Sequence, residues 1–148
     1  EIGRITDAFR EWRFEIGRMS ADEKRVAARL AHNWEWHFTA IMTTAQAGHF
    51  ADLDLRFPLL YLDEINVEAE RQKLTPSLVY GVIRRESAFR EAAVSPAGAL
   101  GLMQVMPRTA RKMSKKMGLR KLSRTQIKKA HYNIKLGSRY LRQVDRKS

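Results

Sequence analysis

The side chain with the clearest potential for chemistry is the carboxylate of Glu86, near the end of an expected helix over residues 75–87. Thr75 suits the N-cap of that helix and Pro76 suits its first turn, where no amide hydrogen is required. An apolar stripe at helical spacing consists of Val79, Val82 and Ile83, with Glu86 continuing it. The sequence therefore predicts that Glu86 is sheltered from water, which favours its protonated form and suits a general acid.

A structural role is the alternative for Glu86, either in a buried ion pair with an arginine or as an acceptor for the amides of a neighbouring helix end. The segment that follows, residues 95–104, favours a cleft instead. Gly98 and Gly101 permit backbone conformations closed to other residues, or the close approach of a ligand. Gln104 ends this segment with an isolated amide, so a carboxylate and an amide face a loop of small residues.

Amphipathic helices are expected over most of the chain, and the predicted fold class is all-α (mainly α). Ser20 to Glu23 form a capping-box pattern. Residues 48–57 are polar and are interpreted as a joint between two domains, and only residues 92–95 suggest an extended segment. The expected helices other than 75–87 cover 2–18, 21 to about 32, 35–46, 58 to about 72, 107–117, a short piece after Ser123 or Thr125, and 132–144.

The composition is strongly basic, with 28 Lys plus Arg against 16 Asp plus Glu and a formal net charge of +12. Such a charge attracts nucleic acid, anionic lipid or the acidic bacterial wall, or serves only solubility. The four histidines have no metal-binding spacing and there is no cysteine, so neither a metal nor a cofactor is expected. No apolar run reaches the roughly 18 residues of a transmembrane segment.

Three tryptophans, Trp12, Trp34 and Trp36, could stack on sugars, but their helical spacing favours core packing. His32 and His37 are likewise expected to pack between helices rather than to bind a ligand.

Three ordered motifs lie within residues 75–141. They are Glu86-Ser87, then Ser95-Pro96-x-Gly98-Ala99-x-Gly101-Leu102-Met103-Gln104-x-Met106-Pro107, then Asn133-Ile134-x-x-Gly137-x-x-Tyr140-Leu141. Together they resemble the motifs of the soluble lytic transglycosylases, which are lysozyme-like enzymes that cleave bacterial peptidoglycan. The resemblance implies that residues 1–55 are the end of an α-superhelix and that residues 56–148 are a truncated lysozyme-like catalytic domain.

The resemblance also implies a mechanism with a single glutamate. Glu86 would protonate the oxygen that links N-acetylmuramic acid to N-acetylglucosamine, and would then take the proton of the muramic 6-hydroxyl as a 1,6-anhydro ring closes. Glycan strands of peptidoglycan are the implied partner, the bacterial periplasm or cell envelope the implied location, and nucleic acid is not expected. The implied substrate-binding residues are Ser87, Ser95, Gly101, Met103, Gln104 and Met106.

Structural alternatives remain for part of this set: the methionines could be core residues, and the Ser87 hydroxyl could bond its own helix backbone. The family's Ala-Tyr-Asn stretch is not found after residue 141, and residues 128–131 replace the usual Asp-Pro. We therefore expect part of the cleft to be missing and the chain alone to be weakly active or inactive. A second carboxylate is not evident, because Glu91 lies in a loop and Asp145 near the end.

Other functions are compatible with parts of the sequence. One is a non-catalytic peptidoglycan-binding or scaffold piece, and another is a hydrolase similar to goose-type muramidases. A basic helical nucleic-acid binder is the third, but charge alone does not account for three ordered motifs.

Overall fold

The fold is all-α, as predicted: in the computed structural model, which describes residues 2–145, the described residues form nine helices and no strand. The chain divides into two compact units, unit 1 (Glu1–Pro58) and unit 2 (Leu59–Ser148). The helices are α1 (Ile2–Ile16), α2 (Ala21–Asn33), α3 (His37–Gln46), α4 (Leu53–Arg56), α5 (Leu62–Gln72), α6 (Pro76–Ser87), α7 (Pro107–Lys116), α8 (Arg124–Lys128) and α9 (Ala130–Asp145).

Unit 1 is centred on the contact between α2 and α3. The side chains at this contact are small: Ala27, Ala28 and Ala31 of α2 and Ala40 of α3 are all at most 8% exposed. Ile41 lies beside them and is fully buried. Short side chains let the two helix backbones approach closely, and the larger buried side chains Ile16, Ile41 and Leu55 complete the core of the unit.

Side-chain caps begin two helices of unit 1. The predicted capping box of α2 is confirmed: Glu23 N–H donates to Ser20 Oγ over 3.3 Å, and Ser20 N–H donates to the Glu23 carboxylate over 2.7 Å. Asp52 caps α4 by accepting a bond of 3.1 Å from Leu55 N–H, and it also pairs with Arg29. The segment 48–57, expected to be a polar joint, therefore contains a short capped helix.

The three tryptophans of unit 1 form one cluster. Trp12, Trp34 and Trp36 contact each other edge-on, with ring centroids 5.4–6.2 Å apart. Trp12 Nε1–H donates to Thr43 Oγ1 over 3.2 Å. The prediction of core packing is wrong, because Trp34 is 51% exposed and neither Trp12 nor Trp36 is buried. The three rings pack on one another at the surface of the unit.

His32 and His37 also contact each other, with ring centroids 5.5 Å apart. Burial lowers the pKa of His37, the neighbouring His32 lowers it further, and Glu35 opposes both effects. The prediction that the two histidines pack between helices is confirmed by this contact.

Unit 2 is arranged around α9, which packs against α5, α7 and α8, while α6 packs against α5. The apolar residues that its helices bury are Ile65, Ala69, Val79, Ile83, Ala110, Met113, Ile127, Ile134 and Leu136. The buried positions of α6 and α9 lie on one face of each helix, so their opposite faces carry the polar residues.

Two helix starts in unit 2 differ from the prediction. The helix expected from Pro58 begins only at Leu62, because Tyr61 adopts a left-handed φ of 57° that a right-handed helix cannot include. α9 begins at Ala130, two residues before the expected Tyr132. Thr75 precedes α6 as predicted, but its side chain forms no capping bond. Across the residues described, we find no helix long and apolar enough to cross a bilayer.

Candidate functional site

Glu86 lies on the surface of unit 2, in the last turn of α6, and the prediction that it is buried is wrong. The residues of α6 that turn inward are Val79, Ile83 and Ser87, spaced four apart. This i, i+4, i+8 line defines the buried face, and Glu86 lies at its edge, about 60° from the centre at 100° per residue. Its carboxylate is therefore accessible from solvent.

A tight turn leads from α6 into the loop that the sequence singled out. Ala88 and Phe89 adopt positive φ values of 48° and 64°, and Arg90 N–H donates to the Ser87 carbonyl over 3.1 Å. Ala93 lies at the far end of this turn, and its carbonyl accepts a bond of 2.8 Å from Gly101 N–H. The end of α6 is thereby linked, through the turn at residues 88–92 and the bond from Gly101 to Ala93, to the middle of the loop.

The loop, residues 93–106, is folded as two isolated antiparallel bridges that share one residue. Leu100 pairs with Val94 on one side and with Val105 on the other. The extended segment expected at 92–95 therefore contains Val94, a residue of the first bridge. Ser95 stabilises the turn between the paired residues, because its Oγ accepts a bond of 3.0 Å from Ala99 N–H.

Asn133 of α9 holds the loop from inside unit 2. Its side chain is fully buried and donates to the carbonyls of Leu100 and Ile127, both over 2.8 Å. Its Oδ1 accepts a bond of 2.7 Å from Met103 N–H. The side-chain amide of Asn133 thus fixes the loop to α9 at Leu100 and at Met103. The same amide bonds Ile127, so it also links the loop to α8. Sequence reasoning assigned Asn133 no role, although it opens the third motif.

Gly101 lies against that amide, so close that no side chain fits. A Cβ at this position would be 2.4 Å from Asn133 Nδ2, and the glycine φ is +74°. The glycine therefore has two reasons to be present, its conformation and its contact with Asn133.

The Gly101→Ala variant separates these two reasons when it is compared with Gly98→Ala, whose φ is +86° and whose Cβ would meet nothing within 4 Å. Both variants are expected to lose about 1–2 kcal/mol from the left-handed conformation. Only Gly101→Ala is expected to lose a further 1–3 kcal/mol, roughly, because Asn133 must move. Urea unfolding measures both costs, and equal losses would contradict the importance of the contact.

Two of the predicted methionines have different environments. Met103 is 7% exposed and occupies the space that Gly137 of α9 leaves, since a Cβ on Gly137 would be 2.4 Å from the Met103 sulfur. Met103 is therefore in the core of unit 2, as the alternative proposed. Met106 is 40% exposed at the N-cap of α7 and can meet a ligand.

Gln104 is half-buried and has a positive φ of 46°. Its Nε2–H donates to the Gly101 carbonyl over 2.8 Å, which fixes the amide plane. No described residue donates to its Oε1, which leaves that atom able to accept a bond from a ligand. Ser87 differs, because it is 7% exposed and its hydroxyl donates to the Ile83 carbonyl over 3.2 Å. This is the bond to its own helix backbone that the sequence allowed as an alternative to substrate binding.

The two other carboxylates considered for this site are already engaged. Glu91 Oε1 accepts a bond of 2.8 Å from Ala130 N–H, the first amide of α9, and so satisfies one of the unpaired donors at that helix end. Asp145 pairs with Arg142 over 2.7 Å. The residues from 2 to 145 contain no group of three or more histidine or acidic side chains arranged to hold a metal ion.

Two tyrosines of unit 2 have a raised pKa. Burial raises the pKa of Tyr61, and Glu91 and Glu64 raise it further. Burial also raises the pKa of Tyr80, against the opposing effect of Arg84, and the Tyr80 ring contacts Phe89 in the turn after α6. Both phenols therefore stay protonated at neutral pH, as hydrogen-bond donors.

Two family models match the chain. The model described as Soluble lytic murein transglycosylase L domain matches residues 1–53, and the model described as Transglycosylase SLT domain matches residues 63–147. Both descriptions are of lytic transglycosylases, and the second model covers more than half of the chain. The chain belongs to the soluble lytic murein transglycosylase family, as the motifs predicted.

Similar proteins are much longer than this chain. The Soluble lytic murein transglycosylase of Escherichia coli strain K12 is 32% identical over 135 residues, which are 90% of this chain and 21% of that protein. The X-ray structure of an inactive Glu-to-Gln mutant of the lytic transglycosylase Slt from Pseudomonas aeruginosa matches with a TM-score of 0.93 and 39% identity, over 98% of this chain and 24% of that one.

A third comparison is a complex of a soluble lytic transglycosylase with bulgecin A, with a TM-score of 0.84 and 31% identity over 93% of this chain and 22% of that chain. The chain therefore spans about a fifth of the E. coli relative, at 21% of its length.

Proposed function

We propose that this chain carries the acid–base residue of a lytic transglycosylase that cleaves the β-1,4 bond between N-acetylmuramic acid and N-acetylglucosamine in peptidoglycan. The observation that carries the proposal is the position of Glu86: an accessible carboxylate at the end of α6, joined by one short turn to the loop that Asn133 fixes. The names of the relatives support it, as does the inactive Glu-to-Gln mutant among the solved structures.

The reaction needs two proton transfers, and Glu86 takes part in both. Glu86 first donates a proton to the linking oxygen while the bond from that oxygen to the muramic C1 breaks, and the muramic N-acetyl oxygen stabilises the positive carbon. The Glu86 carboxylate then removes the proton of the muramic 6-hydroxyl, and O6 bonds to C1 to close the 1,6-anhydro ring. No water is consumed. The engagement of Glu91 and Asp145 in structural bonds fits a mechanism without a second free carboxylate.

Because Glu86 is exposed, something other than α6 must shield its carboxyl from water during the reaction. Because the apolar face of α6 does not cover the carboxyl, we propose that the bound glycan excludes water from it. A covered carboxyl is favoured in its neutral form, which is the form that donates the first proton. The bound substrate, and not the helix, would thus supply the water-free surroundings of the Glu86 carboxyl.

The loop residues divide into surface contacts and supports. Gln104 Oε1, Ser95 and Met106 are the surface groups, and we propose that they meet the sugar amide and the glycan chain. Met103, Gly101 and Ser87 are buried, so their proposed role is to shape the floor under the glycan. The net charge of +12 would favour the acidic bacterial wall, and a location in the cell envelope goes with this substrate.

Mass analysis of the products tests the reaction type. The chain is incubated with purified peptidoglycan, long enough for the slow release that an incomplete cleft predicts. We expect the released muropeptides to be lighter by one water than the products of hydrolysis, because ring closure leaves no reducing end. Products with reducing ends would instead identify a muramidase. The control is the same incubation with heat-inactivated protein.

A non-catalytic glycan-binding or scaffold piece is a second candidate, because the apolar face of α6 turns away from Glu86 and gives its carboxyl no cover. Such a protein would sediment with insoluble peptidoglycan and release no soluble product at any protein concentration. Affinity for duplex DNA above that for wall fragments would instead favour nucleic-acid binding.

A further inference from the structure

Unit 2 contains a cavity of about 210 Å³ on the side of α7 that faces α8 and the segment before it. The apolar part of its wall includes Ala110 and Ile127, which are 1% and 4% exposed. The remaining wall is polar and basic. The pocket does not include Glu86 or any residue of the 93–106 loop.

Three cationic side chains line the cavity and no acidic one does: Arg111 of α7, Lys121 of the connecting segment and Arg124 of α8. None of the three has an ion-pair partner among residues 2–145. The sequence from residue 105 to residue 144 contains 13 lysines and arginines and no aspartate or glutamate. Like charges held around one cavity repel each other, and an anion bound between them would remove that repulsion.

Ser114 supplies the second, independent observation. It lines the same cavity and is 3% exposed, yet its Oγ has no hydrogen-bond partner in the described part of the chain. Buried hydroxyls almost always have a partner, and a serine within a helix usually finds one in the carbonyl four residues earlier. Here that carbonyl is at Ala110 and no such bond forms, so a buried donor remains available to a ligand.

We propose that this cavity binds a phosphate group. Three cations on separate elements and one hydroxyl suit an ion with a charge near −2 and several acceptor oxygens, which a phosphate offers and a carboxylate does not. The planar guanidinium groups of Arg111 and Arg124 match two phosphate oxygens each, and Lys121 adds a point charge. The phosphate is either a soluble one or part of a lipid headgroup. This inference does not rest on the glycan reaction.

An NMR titration of the 148-residue chain with inorganic phosphate tests the proposal. Sodium chloride is exchanged for phosphate at constant ionic strength, and the amide shifts of residues 110–127 are followed. We expect saturable shifts, and weaker ones with acetate. Loss of two charge-assisted bonds in the Arg111→Ala/Arg124→Ala variant should raise Kd by about tenfold or more. Ser114→Ala should raise it by about threefold or more.

The matched control is Arg108→Ala/Arg139→Ala, which removes the same charge from exposed positions on α7 and α9 outside the cavity. We expect Kd to change by less than about twofold in this variant. Equal losses in the two double variants, or shifts that never saturate, would overturn the proposal in favour of diffuse attraction to a basic surface.

Vesicles identify the source of the phosphate. Sedimentation with phosphatidylglycerol vesicles but not with phosphatidylcholine vesicles, lost in Arg111→Ala/Arg124→Ala and competed by inorganic phosphate, assigns a lipid headgroup. Saturable phosphate binding without vesicle sedimentation assigns a soluble phosphate. Thermal unfolding of each variant checks that its fold is intact. Both arginines are exposed, so their replacement should leave the melting temperature nearly unchanged.

Discussion

Glu86→Gln is expected to reduce the release of anhydro-muropeptides by about 10²–10⁴-fold, the range over which general acid–base catalysis contributes. The amide has the size of the carboxyl but can neither donate the first proton nor accept the second. Because the side chain is exposed, its replacement should not affect folding. Binding to insoluble peptidoglycan should persist, so that turnover is lost and affinity is kept.

Glu91→Gln is the matched control, because it makes the same change in a carboxylate five residues away. A glutamine oxygen can still accept the bond from Ala130 N–H, so activity should stay within about threefold of the unchanged chain. A loss as large as that of Glu86→Gln would show that the reaction uses two carboxylates.

Both substitutions are also made in a chimera, in which this chain replaces the matching 135-residue segment of the E. coli relative. The chimera places the Glu86 comparison in the context of the whole relative and supplies a second rate that does not depend on this chain acting alone. An active chimera that keeps its rate after Glu86→Gln would disprove the proposed acid–base role.

Asn133→Ala is expected to have the largest effect on stability, about 3 kcal/mol or more off the free energy of unfolding of unit 2. The substitution strands the carbonyl of Ile127 and the amide of Met103 inside the unit, and each buried group without a partner costs roughly 1–3 kcal/mol. The Leu100 carbonyl loses one of two bonds and keeps the one from Val105 N–H. The loop would also lose its attachment to α9, so its amides should exchange with solvent faster.

Urea unfolding and hydrogen exchange of the 93–106 amides measure the two effects. Gln143→Ala is the control, because it removes a side-chain amide from the same helix, α9. The bond that this amide accepts from Lys116 is exposed to solvent. A loss within about 0.5 kcal/mol is expected there. If Asn133→Ala cost no more than this control, the loop would be held by other contacts.

Local signals in the sequence predicted the helices well where a side chain or a proline decides the start. The Ser20 capping box, Pro76 and Pro107 all mark observed helix N-termini. Pro58 does not, because the left-handed Tyr61 delays α5 to Leu62. The motifs likewise predicted the family, because three ordered patterns at fixed spacing leave few alternatives. The segment from Glu86 to Gln104 stays a prediction of where the site lies.

The arrangement within that segment was not predictable. Val79 lies on both possible apolar lines of α6, through Val82 or through Ile83, and only packing against other helices decides which line is buried. The bonds of Asn133 join residues 30 and 33 positions apart, beyond any local pattern. Tyr61 has a left-handed backbone that no propensity favours.

The buried alanines of α2 and α3 make unit 1 less tolerant of larger side chains than of smaller ones at these positions. Ala27, Ala28, Ala31 and Ala40 each carry a single methyl group, so truncation has almost nothing to remove there. Enlargement instead forces the two backbones apart, at a typical cost of about 1–3 kcal/mol. Mutational drift at these four sites should thus be restricted most strongly toward larger residues, with serine more often accepted than valine or leucine. Glycine adds no bulk but costs about 1 kcal/mol within a helix.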